Sequence, residues 1–253
     1  MQAIDGCARH GVTGISPWRD QLAEAGVANA AKAIRANGLT VTSLCRGGFF
    51  TWGDAADRAK SIDDNRRAVD EAVAIGAKCL VLVVGGLAPG SKDLQGARAQ
   101  VRDGIATLLD YARPAGMPLA IEPLHPMYAA DRACVNTLAQ ANDLCDGLGP
   151  GVGIAVDVYH VWWDPDLPRQ VARAGGRILG FHICDWLVPT TDLLLDRGMM
   201  GDGVIDIPAI RGLVEAAGYT GFCDVEILSA NNWWKRDPDE VLRICIERHR
   251  TVV

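Results

Sequence analysis

The stretch DGLGPGVGIAVDVYH, residues 146–160, decides how this chain folds. It ends an amphipathic segment on glycine, passes Pro150, and runs through Val152, Ile154, Ala155 and Val156 before meeting the carboxylate of Asp157. Glycine accepts the left-handed backbone that closes a helix. A short run rich in Val and Ile without polar alternation reads as a strand covered on both faces. The same order recurs in ARHG-VTGIS, IRANG-LTVTSL, AVAIG-AKCLVLVV, ARPAG-MPLAIEP, RAGG-RILGFHIC and EAAG-YTGFCDVEI. Helix and strand therefore alternate along the chain, the pattern of a parallel sheet with crossover helices.

Working outward, strands are expected at about 13–18, 40–46, 78–85, 118–124, 152–160, 178–185 and 222–228. Helices are expected at about 2–10, 20–37, 61–75, 95–114, 131–147, 166–174, 207–217 and 238–250. Even spacing over 253 residues favours one (β/α)8 TIM barrel spanning residues 1–253, since no linker or low-complexity tract divides the chain. The competing doubly wound sheet lacks its GxGxxG turn after a first strand. Eight helices call for eight preceding strands, yet MQAIDGCARHG at residues 1–11 already reads as helix. The first strand is thus apparently missing from the N-terminus of this chain. Either it lies upstream, or the wall is open between its second and eighth strands, leaving two edges to be covered.

A net charge of −6 and a pI near 5.3 disfavour a nucleic-acid-binding role. The eight cysteines form no CxxC pair, and several lie in apolar runs as small buried side chains. With no secretory leader and no apolar run long enough to span a bilayer, the expected setting is cytoplasmic, as a monomer or homo-oligomer.

Four metal-capable groups appear as apolar runs finish: Glu122 in LAIEP, Asp157 in IAVDVYH, His182 in GFHICD and Glu226 in DVEIL. Any one alone reads equally well as a structural ion pair or core histidine. Together, on adjacent parallel strands, two-residue alternation aims all four into one cavity at the strands' C-terminal ends. Three carboxylates and one imidazole suit one divalent cation, Mn2+ first, with Mg2+ or Co2+ ahead of Zn2+. His125 and His160 stand where they can hydrogen-bond substrate hydroxyls or support the ligands. Arg197 lies in the long segment WLVPTTDLLLDRGMMGDGVID, as a lid residue or a surface arginine. Trp18 and Arg46 end early strands where a substrate would approach and are expected substrate contacts, and Trp162, Trp163, Trp186, Trp233 and Trp234 fall in late loops. The Gly-Gly pairs at 47–48 and 85–86 lack a following GK[ST], so no P-loop is read and a free sugar is favoured over a phosphorylated one.

The pieces IEPLHPMYAADR, VDVYHVWWDP, FHICDW, DRGMMGDGVID and DVEI resemble the xylose-isomerase-like TIM barrels known as sugar phosphate isomerases/epimerases. In the ketose 3-epimerase and hydroxypyruvate isomerase branches, that resemblance implies one divalent metal held by Glu122, Asp157, His182 and Glu226. It implies substrate contacts from His160 and Arg197, and proton transfer by Glu226 and Glu122 through a metal-stabilised enediolate. The substrate is then a sugar or small hydroxy-ketone. A sugar or inosose dehydratase, and a non-catalytic binding or partner subunit, remain as alternatives. An endonuclease IV-type enzyme is disfavoured, because its many histidine ligands have no counterpart among five histidines.

Overall fold

The apolar runs fold as short parallel strands and the segments between them as helices, in a computed structural model that describes residues 1–253. The strands of the main wall are β1 (Gly14–Ile15), β2 (Thr40–Val41), β3 (Leu44–Gly48), β4 (Leu80–Val83), β5 (Leu119–Ile121), β6 (Val152–Asp157) and β7 (Ile178–Ile183). A small hairpin, β8 (Asp185–Trp186) with β9 (Arg197–Gly198), stands above β7, and β10 (Cys223–Val225) ends the series. The main sheet runs β10-β7-β6-β5-β4-β3, with every neighbouring pair parallel. β1 pairs with β2 in parallel, and a parallel bridge from Trp18 to Cys45 joins this pair to β3. The expected run 40–46 is thus one strand position interrupted at Thr42 and Ser43.

The helices are α1 (Gln2–Arg9), α2 (Arg19–Ala25), α3 (Val27–Ala36), α4 (Ala55–Ile75), α5 (Leu94–Ala112), α6 (Leu138–Leu148), α7 (Val158–Val161), α8 (Leu167–Ala174), α9 (Ile207–Ala216) and α10 (Pro238–Thr251). Local chemistry sets their ends. Asp54 accepts from the Asp57 amide to start α4, and Gly76 closes it in the left-handed conformation. Thr137 caps α6 by accepting from the Gln140 amide, so residues 131–137 are loop rather than the expected helix. The expected helix 20–37 is two helices, because Gly26 adopts φ 78° between them. The strand expected to reach residue 160 stops at Asp157, whose carboxylate accepts from the Tyr159 amide and turns the chain into α7.

Two packing zones follow from the alternation. Outward residues of the strands meet the helices in a core of 55 buried residues. Inward residues Cys79, Val81, Ala120 and Ala155 form a separate small cluster, a floor of short side chains inside the wall. The carboxylates and imidazole stand one layer above this floor.

Residues 1–253 supply seven strand positions for the wall, as expected, and the two end strands β1 and β10 do not pair with each other. Between them lies a cavity of about 1050 Å³, lined by Gly14, Phe222, Val225, Leu242 and Cys245 among others. Helices α1 and α10 flank it and are tied by Arg9 and His10 to Asp239. At its base the Phe222 ring fills the space where a side chain on residue 14 would stand, 2.8 Å from an added Cβ. None of the apolar residues of α10 is fully buried.

Candidate metal centre and mouth of the barrel

Glu122 directly follows β5, Asp157 ends β6, His182 lies in β7 and Glu226 directly follows β10. The register aligns them: Asp157 pairs with His182, Asp224 pairs with His182 from the other side, and Glu226 donates its amide to Ile183. One ligand atom from each of the four lies within 4.8 Å of all the others. Asp157 is fully buried, and Glu122 and His182 are 4% exposed, so this is an interior cluster and not an acidic surface.

Three carboxylates cannot share such a space without compensation. Positive charge comes from two side chains. His182 Nδ1 lies 2.8 Å from Glu122 Oε1 and 3.9 Å from Glu226 Oε2. Arg197 Nη1 donates to Asp157 Oδ2 at 2.9 Å and to Glu226 Oε2 at 3.2 Å. Burial works against a charged imidazole at His182, yet the hydrogen bond and charge of Glu122 raise its pKa to about 10. Burial is the largest influence on Glu226, and with Glu122 and Asp157 nearby it lifts that carboxyl to about 7 in spite of Arg197. Asp157 is also opposed by burial, but Arg197 and His160 hold it below the usual carboxylate range. A protonated His182 and the Arg197 guanidinium together supply two positive charges, the charge of one divalent cation. The donor set therefore fits a hard or borderline metal ion.

Arg197 bridges two carboxylates of the cluster. It is 3% exposed, not a surface arginine, and its guanidinium lies over the Tyr159 ring at 4.3 Å. Its Nη2 is 3.2 Å from His160 Nε2, so two of the expected substrate-contacting groups meet beside Asp157. Burial, ahead of the favourable charge of Asp157, lowers the His160 pKa to about 4, leaving a neutral ring. His160 Nδ1, His182 Nε2 and Arg197 Nε are buried without hydrogen-bond partners.

An aromatic wall completes the mouth. His125 packs against Trp163 and Trp186 at 5.6 and 5.2 Å between ring centres. Trp186 stacks on Tyr159 at 4.7 Å and meets Trp162 at 5.7 Å. Trp233 and Trp234 stand apart from this group: the first is covered by Arg236, and the second is exposed and donates to the Ile227 carbonyl. Trp18 precedes α2 and is half-buried; its ring joins none of these aromatic contacts. Arg46 stands across the mouth on β3.

Asp185 lies three residues beyond His182. Its two oxygens accept four backbone amides, from Trp186, Gly201, Gly203 and Ile205, at 2.8–3.0 Å. This clamp fixes the loop that carries Arg197. Gly203 is required there, because a Cβ would lie 2.1 Å from the Trp186 carbonyl oxygen. The sequence signal was present, an Asp followed by a segment with Gly198, Gly201 and Gly203, but which amides it receives is set only by the folded loop.

A parallel βα barrel with a carboxylate–imidazole cluster at the C-terminal ends of its strands defines the class. The chain belongs to the xylose isomerase-like TIM barrel family, whose description matches residues 4–245. The crystal structure of protein SMc04130 from Sinorhizobium meliloti 1021 is 64% identical, with a TM-score of 0.98 over 99% of this chain and 92% of that one. The IolI protein with a bound zinc atom superposes at a TM-score of 0.85 and 20% identity, covering 100% of this chain and 92% of that chain. D-allulose 3-epimerase from Methylomonas sp. superposes at 0.79 and 21% identity, covering 99% and 91%. The last two share the fold. A search of curated proteins found no match. No helix is long and apolar enough to cross a membrane.

Proposed function

We propose that the protein is a divalent-metal-dependent isomerase or epimerase acting on a sugar or small hydroxy-ketone. The observation that carries this reading is the convergence of Glu122, Asp157, His182 and Glu226 within 4.8 Å at the mouth. These four would hold the cation, with Mn2+ preferred for a mainly oxygen donor set; the zinc named for the IolI protein keeps Zn2+ in the test. The bound cation would supply Lewis acidity, making a C–H beside a carbonyl easier to deprotonate. The chain's own groups do the rest.

Glu122 and Glu226 occupy the two ends of the ligand arc, on β5 and beyond β10, with β6 and β7 between them. One carboxylate can remove a proton from one side of a substrate carbon while the other returns it from the opposite side. Glu226, near pH 7 in its proton affinity, is suited to exchange a proton under neutral conditions. Arg197 and His160 sit beside Asp157 and can donate to substrate oxygens as negative charge develops. The Trp162, Trp186 and His125 rings exclude water and offer apolar faces to a sugar ring. Return of the proton to the same carbon inverts it; return to the neighbouring carbon interconverts aldose and ketose.

The test is metal analysis of the purified protein, followed by a ketose and inosose panel in D2O. The expected result is near-stoichiometric divalent metal and deuterium entering a substrate without other change in mass. Loss of water from the substrate would reassign the protein as a dehydratase. Absence of both metal and exchange would overturn the catalytic reading in favour of a binding role.

A further inference from the structure

The mouth contains one cation that the proposed proton transfer does not use. Arg46 is the extra residue of a bulge in β3: Cys45 pairs with Val81, and Gly47 already pairs with Leu82. Val81 belongs to the inner floor, so Cys45 faces inward. Gly47 faces outward, where an added Cβ would meet Asn65 of α4 and Leu80 and Leu82 of β4. In an unbroken strand, residues 45 and 47 would share a face. The bulge at Arg46 breaks that alternation and re-aims its side chain, a recurrent use of bulges at sites. Burial first, and then the charges of Glu226 and Glu122, push the Cys45 thiol up, while Arg46 and Arg197 oppose them.

Arg46 differs from Arg197 in having nothing to hold. Arg197 is shared between two carboxylates. Arg46 Nη1 is buried without a hydrogen-bond partner, and its guanidinium meets only the Phe49 ring, at 4.6 Å. Phe49 is the single non-glycine residue with positive φ, at 55°. That conformation is disfavoured for a bulky residue and is retained where the surroundings enforce it. Here it follows Gly48, at φ 116°, where a Cβ would lie 1.9 Å from the Val83 carbonyl oxygen. The strained turn places an aromatic face on an unpaired guanidinium.

We propose, resting on the isomerase or epimerase reading of the same site, that Arg46 seats a carboxylate of the substrate. The substrate class is then a keto acid or sugar acid, with the reacting carbonyl at the ligand arc and the acid group across the mouth on β3. A planar guanidinium fork matches the two coplanar oxygens of a carboxylate. A phosphate needs further donors, and the amides beside Arg46 are already committed. Gly48 donates to Asn65 Oδ1, Phe49 to the Val83 carbonyl and Phe50 to the Val84 carbonyl.

The test is calorimetric binding of 5-keto-D-gluconate, D-fructose and D-fructose 6-phosphate to the full-length metal-loaded protein, its Arg46→Gln and Arg46→Lys variants, and the wild type at raised salt. The expected result is keto-acid binding about tenfold or more tighter than D-fructose, weakened by salt. Arg46→Gln should bring keto-acid affinity down to that of D-fructose for the same variant, while Arg46→Lys keeps part of the preference. Thermal melting of each variant checks that it is folded. Equal binding of keto acid and fructose, a preference that survives in Arg46→Gln, or tighter binding of the phosphate would overturn the carboxylate assignment and leave the isomerase reading standing. Failure of all three sugars to bind a folded, metal-loaded protein would overturn both.

Discussion

Two hollows in this molecule differ in almost every respect. The groove between β1 and β10 encloses about 1050 Å³ and is lined mostly by apolar side chains of α1, α9, α10 and the end strands. At the mouth on β5, β6, β7 and β10, three carboxylates, two imidazoles and a guanidinium converge in buried contact. The groove arises because two strand edges fail to meet. The mouth arises because four neighbouring strands each end on a polar residue in one register. Volume marks where backbone is lacking, whereas convergent, mutually compensated charge marks where chemistry is built.

The largest expected effect would separate the two at once. Glu226→Gln and Glu122→Gln should each lower the rate of deuterium entry into substrate by about 10²–10⁴-fold, measured by NMR in D2O. Unchanged exchange in either variant would break the claim that the mouth holds the opposed bases.

Next in size is Arg197→Met. Removing the cation shared by Asp157 and Glu226 leaves buried carboxylates uncompensated, and should destabilise the metal-free protein by about 3–5 kcal/mol in urea unfolding. Saturating Mn2+ should recover much of that loss. A loss that metal leaves untouched would mean that packing of Arg197 on Tyr159 matters more than its charge.

The mouth alone should also respond to pH. His182 is held protonated in the fold to about pH 10, against 6.5 for an ordinary histidine. The folded chain therefore binds more protons than the unfolded chain in that window, and stability falls as pH rises from about 6.5 to 10, by an amount on the order of a few kcal/mol. Below that window Glu226 and His160 pull in opposite directions, since one binds its proton more tightly in the fold and the other less. Metal must displace the His182 proton, so bound Mn2+ should flatten the decline, and calorimetry near pH 7 in two buffers should detect release of roughly one proton or more per ion. A pH-independent urea midpoint for the metal-free protein would place the compensating charge elsewhere.

The smallest effect belongs to the groove. Val225→Thr, at a residue 39% exposed on the β10 edge, should change stability by no more than about 0.5 kcal/mol and leave deuterium exchange at the wild-type rate. A large catalytic effect from that position would couple the two hollows.

Particular residues explain how far the sequence could be read. Gly76 after AVAI and the apolar run behind it mark a helix end and a strand without reference to the rest of the chain. The ligand set was legible for the same reason: a polar residue at the end of an apolar run is a local oddity, and parallel register turns four such oddities into one cluster. Long-range facts were not legible. Gly26 splitting one helix into two depends on its left-handed φ, and the loop at 131–137 depends on Thr137 capping α6. The burial of Arg197 depends on a hairpin whose two strands are brought together by pairs eleven or more residues apart, Trp186 with Arg197 and Asp185 with Gly198. The bulge at Arg46 is a property of its pairing with β4, which no local pattern in LCRGG announces.

The Asp185 clamp has a consequence for how such a protein can diversify. It grips its loop through backbone amides of Trp186, Gly201, Gly203 and Ile205, two of them at glycines that a Cβ would not suit, and not through the side chains that lie between them. Side chains between those anchor points can thus be exchanged while the loop keeps its course and Arg197 its station. Selection for a new substrate can rewrite the loop's surface one residue at a time, without first dismantling the charge balance beneath it.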